Sequence, residues 1–189
     1  MLIMNKKYKT IEELIKKNLD TKENAETLKL MNELKNVKER GYFTKEEFLK
    51  IGMWKSPRPK DRYLKNAEGD IILVSKKVFA TKFEKRRIEL LTSLDGVSIP
   101  TASAILTLID PQNYGVIDIR VWQVLYLYSS VKDRPNGTNF DFNNWYNYLM
   151  KLRYYAKKFK VSARDIERII FQHHKEIQVG NLYKKLKPV

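Results

Sequence analysis

Apolar residues recur at helical spacing along nearly the whole chain, and this pattern restricts the possible folds more than any other feature. In residues 10–41, for example, Met31 and Leu34 belong to a set of apolar residues spaced as on one face of an α-helix. Strand-like composition is confined to DIILV (70–74) and YGVID (114–118). Because two short, isolated strands make only a marginal sheet, we expect an all-α fold.

Start and stop signals divide this helical pattern into elements. Gly41 suits the end of a helix, since glycine readily adopts the left-handed backbone found there. Thr44 and Glu47 have the spacing of a capping box, in which each side chain binds the other residue's backbone N–H. Segments 55–70 and 132–141 contain proline, glycine and polar residues, and we predict loops in both.

The length and composition fit one domain with its own core. The chain has 189 residues, of which 43% are hydrophobic and 12% aromatic, so it is expected to fold rather than remain disordered. We predict a single domain over residues 1–189 with two helical lobes and a cleft between them. The core of the predicted motif spans about residues 83–130.

The charge favours a polyanionic partner. Lysine and arginine total 37 against 22 aspartate and glutamate, which gives a net charge of +15. Such an excess favours nucleic acid, because each neutralised phosphate releases condensed counterions. A lysine-rich composition without a nucleic-acid partner is the alternative. We expect duplex DNA as the partner and a monomeric protein.

Several classes of site are excluded or not expected. The chain has no cysteine, which excludes disulfides, a cysteine nucleophile and an iron–sulfur cluster with cysteine ligands. We expect neither a metal ion nor another cofactor. No apolar run approaches the ~20 residues of a membrane-spanning helix, so we expect no membrane partner and a location in the cytoplasm or at the nucleoid.

The segment LLTSLDGVSIPTASAILTLIDPQNYGVIDIRVWQVLY (90–126) carries the clearest motif. A leucine-containing helix ends near Gly96, and a helix rich in small residues restarts with Pro100 in its first turn. The backbone N–H groups of such a hairpin point outward and can bind a phosphate without recognising a base. An ordinary turn between two helices is the alternative explanation.

This segment resembles the helix–hairpin–helix DNA glycosylase superfamily. The likeness lies in LDGVSIPTASAIL followed by GVIDIRVW, and the VID-x-R-VW run is most similar to the 8-oxoguanine glycosylase branch. The resemblance covers residues 90–126 and implies phosphate contacts from Gly96, Val97, Ser98 and Thr101. It also implies that Asp118 is catalytic and that Arg120 contacts DNA.

The chain departs from the superfamily at two positions. Ser98 replaces the second hairpin glycine, which leaves the turn intact if its φ is negative. Pro100 occupies the position of the lysine nucleophile of bifunctional members, and proline has no amine that can form a Schiff base. The resemblance therefore implies excision without strand cleavage, unless a substitute such as Lys55 or Lys82 reaches the site.

Asp118 has the chemistry that base excision requires. Positive charge develops on the sugar as the base departs, and a fixed carboxylate stabilises that charge or activates a water. Aspartate is also a common N-cap, and a capping role alone is the alternative for Asp118. A flipped base also needs an aromatic wall, for which Trp54 and Trp122 are candidates.

The sequence therefore supports two main functional hypotheses. The first is a monofunctional DNA base-excision repair glycosylase, a hydrolase of N-glycosyl bonds acting on a damaged or mismatched base. The second is a non-enzymatic helix–hairpin–helix DNA-binding protein in which Asp118 is structural. A helical module that binds RNA or protein is a third possibility.

Overall fold

Helices account for most of the described chain. The computed structural model describes residues 6–179, and no strand occurs within that range, which confirms the all-α prediction. In chain order its helices are α1 (Ile11–Lys17), α2 (Ala25–Glu33), α3 (Val37–Arg40), α4 (Lys45–Lys55), α5 (Lys60–Lys65), α6 (Glu68–Ala80), α7 (Glu84–Thr92), α8 (Ile99–Ile109), α9 (Ile119–Leu127), α10 (Phe142–Phe159) and α11 (Ala163–Ile177).

The predicted signals at the boundary between α3 and α4 are confirmed. Gly41 ends α3 with a φ of 77°, in the left-handed region. Thr44 accepts a hydrogen bond from the backbone N–H of Glu47, and the Glu47 carboxylate accepts one from the N–H of Thr44. This capping box fixes where α4 begins, and therefore where Trp54 and Lys55 lie in its last turn.

The prediction of a loop over residues 55–70 is wrong, because α5 and the start of α6 lie within it. The side chain of Tyr63, on α5, is completely buried and meets the ring of Phe48 edge to face. A Cβ atom at Gly52 would lie 2.8 Å from the Tyr63 ring. Burial of this large aromatic side chain stabilises the short helix α5. The prolines and the glycine that flank this helix led to the prediction of a loop.

The two strand-like segments form no sheet within residues 6–179. Residues 70–74 belong to α6, where Ile71 is buried against the core. Residues 114–118 belong to no helix or strand and lead into α9. The predicted loop over residues 132–141 contains no helix.

The helices pack in two groups that meet around α10. In the first group, α4 packs on α5, α6 and α8, and α7 packs on α6 and α8. In the second, α11 packs on α1, α9 and α10. Helix α10 also contacts α7 and α8, so it joins the groups. None of the helices in residues 6–179 is both long and apolar enough to cross a membrane.

Candidate functional site

The turn between α7 and α8 is a tight hairpin that is held by contacts with Tyr63 and Asn66. Gly96 has a φ of 81°, and a Cβ atom there would lie 2.8 Å from the ring of Tyr63. The side-chain amide of Asn66 donates to the carbonyl of Asp95 and accepts from its N–H, at 3.0 and 2.8 Å. Ser98 begins α8 with a φ of −91°, so serine fits this position without strain.

The hairpin leaves some of its N–H groups available to a ligand. In residues 6–179, the N–H groups of Gly96 and Ser98 donate to no protein acceptor. The Val97 N–H donates to the carbonyl of Leu94, so this amide, unlike those of Gly96 and Ser98, is already engaged within the protein. Thr101 is largely buried, and its hydroxyl lies 3.2 Å from that of Ser98, where it supports the turn.

Asp118 is the N-cap of α9 and lies beside Lys55. Its Oδ1 accepts a hydrogen bond from the N–H of Val121, and its Oδ2 lies 3.5 Å from Nζ of Lys55. The residues before it are fixed: the Val116 carbonyl accepts from the hydroxyl of Tyr148, and both Val116 and Ile117 are buried. The carboxylate is therefore held at one place, with 22% of the side chain exposed.

Two cavities open on either side of the pair formed by Lys55 and Asp118. The hairpin cavity, about 640 Å³, is lined by residues 55–58, 98–101, 118–120 and 137–140 and by Phe171. The α11 cavity, about 490 Å³, is lined by residues 21–24 and by Thr27, Trp54, Lys55, Val116, Asp118, Arg164, Glu167, Arg168, Phe171, Gln172 and Lys175. Lys55, Asp118 and Phe171 line both, so the two cavities meet at this point.

The two tryptophan candidates lie in different environments. Trp54 lines the α11 cavity, its Nε1–H donates to the hydroxyl of Thr27, and the Arg164 guanidinium lies 5.7 Å from its ring centroid. Trp122 is completely buried and packs on Phe140, and it lines neither cavity. The prediction of Trp122 as a pocket wall is therefore wrong, because this face of α9 is part of the core.

The two candidate lysines are also separated by the structure. Lys55 lies at the junction of the cavities. Lys82 is exposed in the connection between α6 and α7 and lines neither cavity. Lys55 is therefore the candidate that the fold brings to Asp118.

Arg120 lies at the edge of the hairpin cavity but is held by α11. Its guanidinium donates to Nδ1 of His174 at 3.1 Å and to the side-chain oxygen of Gln178, and it lies 5.8 Å from the ring centroid of Phe171. Burial, followed by the charge of Arg120, lowers the pKa of His174 to about 4. The imidazole is therefore neutral at pH 7 and can accept the arginine hydrogen bond.

A cluster of buried charges forms the floor of the α11 cavity. Arg164 pairs with both Glu23 and Glu167, and Arg168 pairs with Glu23. The sequence argument missed these residues. The available signal was that Arg164 and Glu167 occupy the buried face of an amphipathic helix, between Ala163 and Ile170.

Comparison of the chain with models of protein families, with curated proteins and with solved structures finds no match. Within residues 6–179, no group of three or more histidine, aspartate or glutamate side chains is arranged to hold a metal ion. What this site does is therefore inferred from its own residues.

Proposed function

We propose that this protein is a DNA base-excision glycosylase of the helix–hairpin–helix superfamily, similar to its 8-oxoguanine branch. It hydrolyses the N-glycosidic bond of a damaged or mismatched base in duplex DNA and leaves an abasic site. The observation that carries the proposal is that Ser98 and Thr101, at the start of α8, line the same cavity as Asp118. A phosphate bound at the hairpin is thus near a carboxylate that can act on the sugar.

The arrangement of the helices supports a two-lobed glycosylase. In this proposal the hairpin helices α7 and α8 belong to one lobe with α4, α5 and α6, while α1, α9 and α11 form the other. The junction of the two cavities then lies in the cleft between the lobes. Asp118 enters the cleft from α9 and Lys55 from α4.

The binding step would use the free hairpin amides and the strongly basic character of the chain. The N–H groups of Gly96 and Ser98 are available to bind an anion, as the free N–H groups at helix N-termini are. The net charge of +15 attracts duplex DNA and raises the rate of encounter. Arg120, fixed by His174, would hold a neighbouring phosphate.

The chemical step would take place between the two cavities. A base turned out of the duplex would enter the α11 cavity and pack against Trp54. As the bond from C1′ to the base nitrogen breaks, the ionised Asp118 stabilises the positive charge on the sugar. Water then adds to C1′. Lys55 holds the Asp118 carboxylate in place and does not take part as a nucleophile in this scheme.

The panel of substrates that tests the proposal consists of duplex oligonucleotides, each carrying one 8-oxoguanine, uracil, hypoxanthine or 7-methylguanine. Alkali treatment after incubation converts every abasic site into a strand break. We expect breaks at one or more of these lesions and none in the undamaged duplex. Duplex binding without a break at any lesion would contradict the proposal.

One observation favours the non-enzymatic alternative. Both oxygens of Asp118 are engaged, one by the N–H of Val121 and the other by Lys55, as expected for a structural N-cap. In that case the protein binds duplex DNA through its hairpin and performs no chemistry. The lesion panel separates the two functions, since only the glycosylase produces alkali-sensitive sites.

A further inference from the structure

Glu167 is a carboxyl group buried in the wall of the α11 cavity, which Asp118 also lines. Only 2% of the residue is exposed, and its Cβ lies so close to the chain before Asp118 that a Cβ at Gly115 would be 2.9 Å away. Its Oε2 accepts a hydrogen bond from Arg164. No hydrogen bond from residues 6–179 reaches its Oε1, and this atom is not among the fully buried unpartnered atoms of that range, so it is accessible from the cavity.

An oxygen of a largely buried carboxyl group that no protein donor reaches is available to a ligand in the cavity. Arg164 already satisfies Oε2 and also binds Glu23. A proton retained on Glu167 would allow this oxygen to donate a hydrogen bond to a ligand in the cavity.

Burial, and not the number of surrounding charges, favours the protonated form. Around Glu167, the carboxylates of Glu23, Asp118 and Asp165 are balanced by the cations Lys55, Arg164 and Arg168. Tyr148, on α10, remains neutral because burial raises its pKa well above the usual value. The exposed lysines Lys22 and Lys175 lie at the rim of the cavity, where water screens their charge.

Burial raises the pKa of Glu167 to about 7, and the nearby carboxylates of Asp118 and Glu23 add to the effect of burial, against the opposing charges of Arg164 and Lys55. A group with this pKa is partly protonated at neutral pH and can still release its proton, which is the range suited to a general acid. Two carboxyl groups with different environments in one cavity are a common basis for separate acid and base roles.

We infer that Glu167 is a second catalytic group, which donates its proton to the base that leaves. The inference rests on the proposed function. The bond between C1′ and the base nitrogen breaks, and its electron pair stays with the base, which takes the proton of Glu167. The carboxylate that results is stabilised by Arg164. Water adds to C1′, and the proton that this water releases returns to Glu167, so atoms and charges balance.

The test compares single-turnover excision by the wild type, Glu167→Gln and Glu84→Gln over a range from about pH 5 to about pH 9. The substrate is the duplex of the lesion panel that the wild type excises fastest. Glutamine keeps the size of the side chain but has no acidic proton. Glu84 is the matched control, because it is likewise a glutamate paired with arginine, here Arg87 and Arg153, and it lines neither cavity.

We expect the Glu167→Gln rate at neutral pH to fall by about 10²-fold or more, with duplex binding unchanged. The wild-type rate should decrease as the pH rises through about 7, and this decrease should be absent from the variant. Glu84→Gln should keep the wild-type profile. A Glu167→Gln variant with the wild-type rate and profile would overturn the inference alone. No excision by the wild type at any lesion would overturn the proposed function and the inference with it.

Circular dichroism would reveal whether Glu167→Gln folds. If it does not, the pH profile of the wild type still tests the role of Glu167. A rate constant that stays the same through pH 7 would then overturn the role of Glu167. A fall centred near that pH in both the wild type and Glu84→Gln would support it.

Discussion

The Nζ atom of Lys55 lies 3.5 Å from Oδ2 of Asp118, with 15% and 22% of the two side chains exposed. The lysine comes from the last turn of α4 and the aspartate from the N-cap of α9. Their ion pair stands where the hairpin cavity meets the α11 cavity. The ion pair therefore lies between the hairpin cavity, where we expect phosphate to bind, and the α11 cavity, where we expect a base to bind.

Asp118→Asn separates the capping role of this residue from its charge. Asparagine caps helices about as well as aspartate, so the free energy of unfolding should change by less than about 1 kcal/mol. Chemical denaturation of the variant measures this change. A much larger loss of stability, with no effect on chemistry once the protein is folded, would favour the structural role.

Gly96→Ala should weaken DNA binding, because alanine is strained at a φ of 81° and its Cβ would meet the buried ring of Tyr63. The hairpin must shift to relieve this contact. Gly41→Ala is the matched control, since Gly41 has a φ of 77° but a Cβ atom added there would meet no atom within 4 Å. Both variants should lose about 1–2 kcal/mol from the left-handed backbone, and only Gly96→Ala should lose affinity for duplex DNA in a titration. Equal affinities would argue against the hairpin as the binding element.

Binding of duplex DNA should depend steeply on salt. If about six phosphates are neutralised, affinity falls by roughly a thousandfold between about 50 and about 200 mM salt. Fluorescence anisotropy with a labelled duplex measures the slope. Affinity that is independent of salt, or absent at low salt, would contradict a DNA-binding function.

Excision should proceed without a covalent intermediate. Pro100 has no amine, and the Lys55 ammonium is engaged by Asp118. Treatment with borohydride during a reaction on an excised lesion should therefore trap no protein–DNA adduct, and strand breaks should appear only after alkali. An adduct that is lost in Lys55→Ala and kept in Lys82→Ala would show instead that Lys55 has become a nucleophile.

Glu167 should make stability depend on pH. Its pKa is about 7 in the folded protein against 4.5 for an unperturbed glutamate. Between these values the folded state binds more protons than the unfolded state, so the free energy of unfolding decreases as the pH rises. Relative to Glu167→Gln, the wild type should lose on the order of 3 kcal/mol over this range. If the free energy of unfolding changed with pH in the same way for the two proteins, Glu167 would be ionised over this whole pH range.

The helical class and several helix ends could be predicted because they depend on neighbours in sequence. The capping box of Thr44 and Glu47 and the stop at Gly41 are local interactions with fixed spacing. Helix α5 could not be predicted, because it is stabilised by the burial of Tyr63 against Gly52 and Gly96, which are distant in the chain.

The candidate site was predicted only in part for the same reason. Asp118 follows from its motif, and Lys55 from its place beside Trp54 at the end of α4. The environment of Glu167 depends on how α11 packs beside α9 and on the loop that supplies Glu23. The charge of Glu167 at a buried helix position indicates a functional residue only when the buried face of α11 is already known.

The rate of base release by Asp118→Asn tests the account most directly. The measurement is single-turnover excision on the lesion duplex that the wild type processes fastest, with Asp141→Asn as the control, because Asp141 is likewise an N-cap but lines neither cavity. We predict that Asp118→Asn binds the duplex and loses about 10²-fold or more in rate, while Asp141→Asn retains the wild-type rate. An Asp118→Asn protein that releases the base as fast as the wild type would contradict the assignment of Asp118 as the catalytic carboxylate.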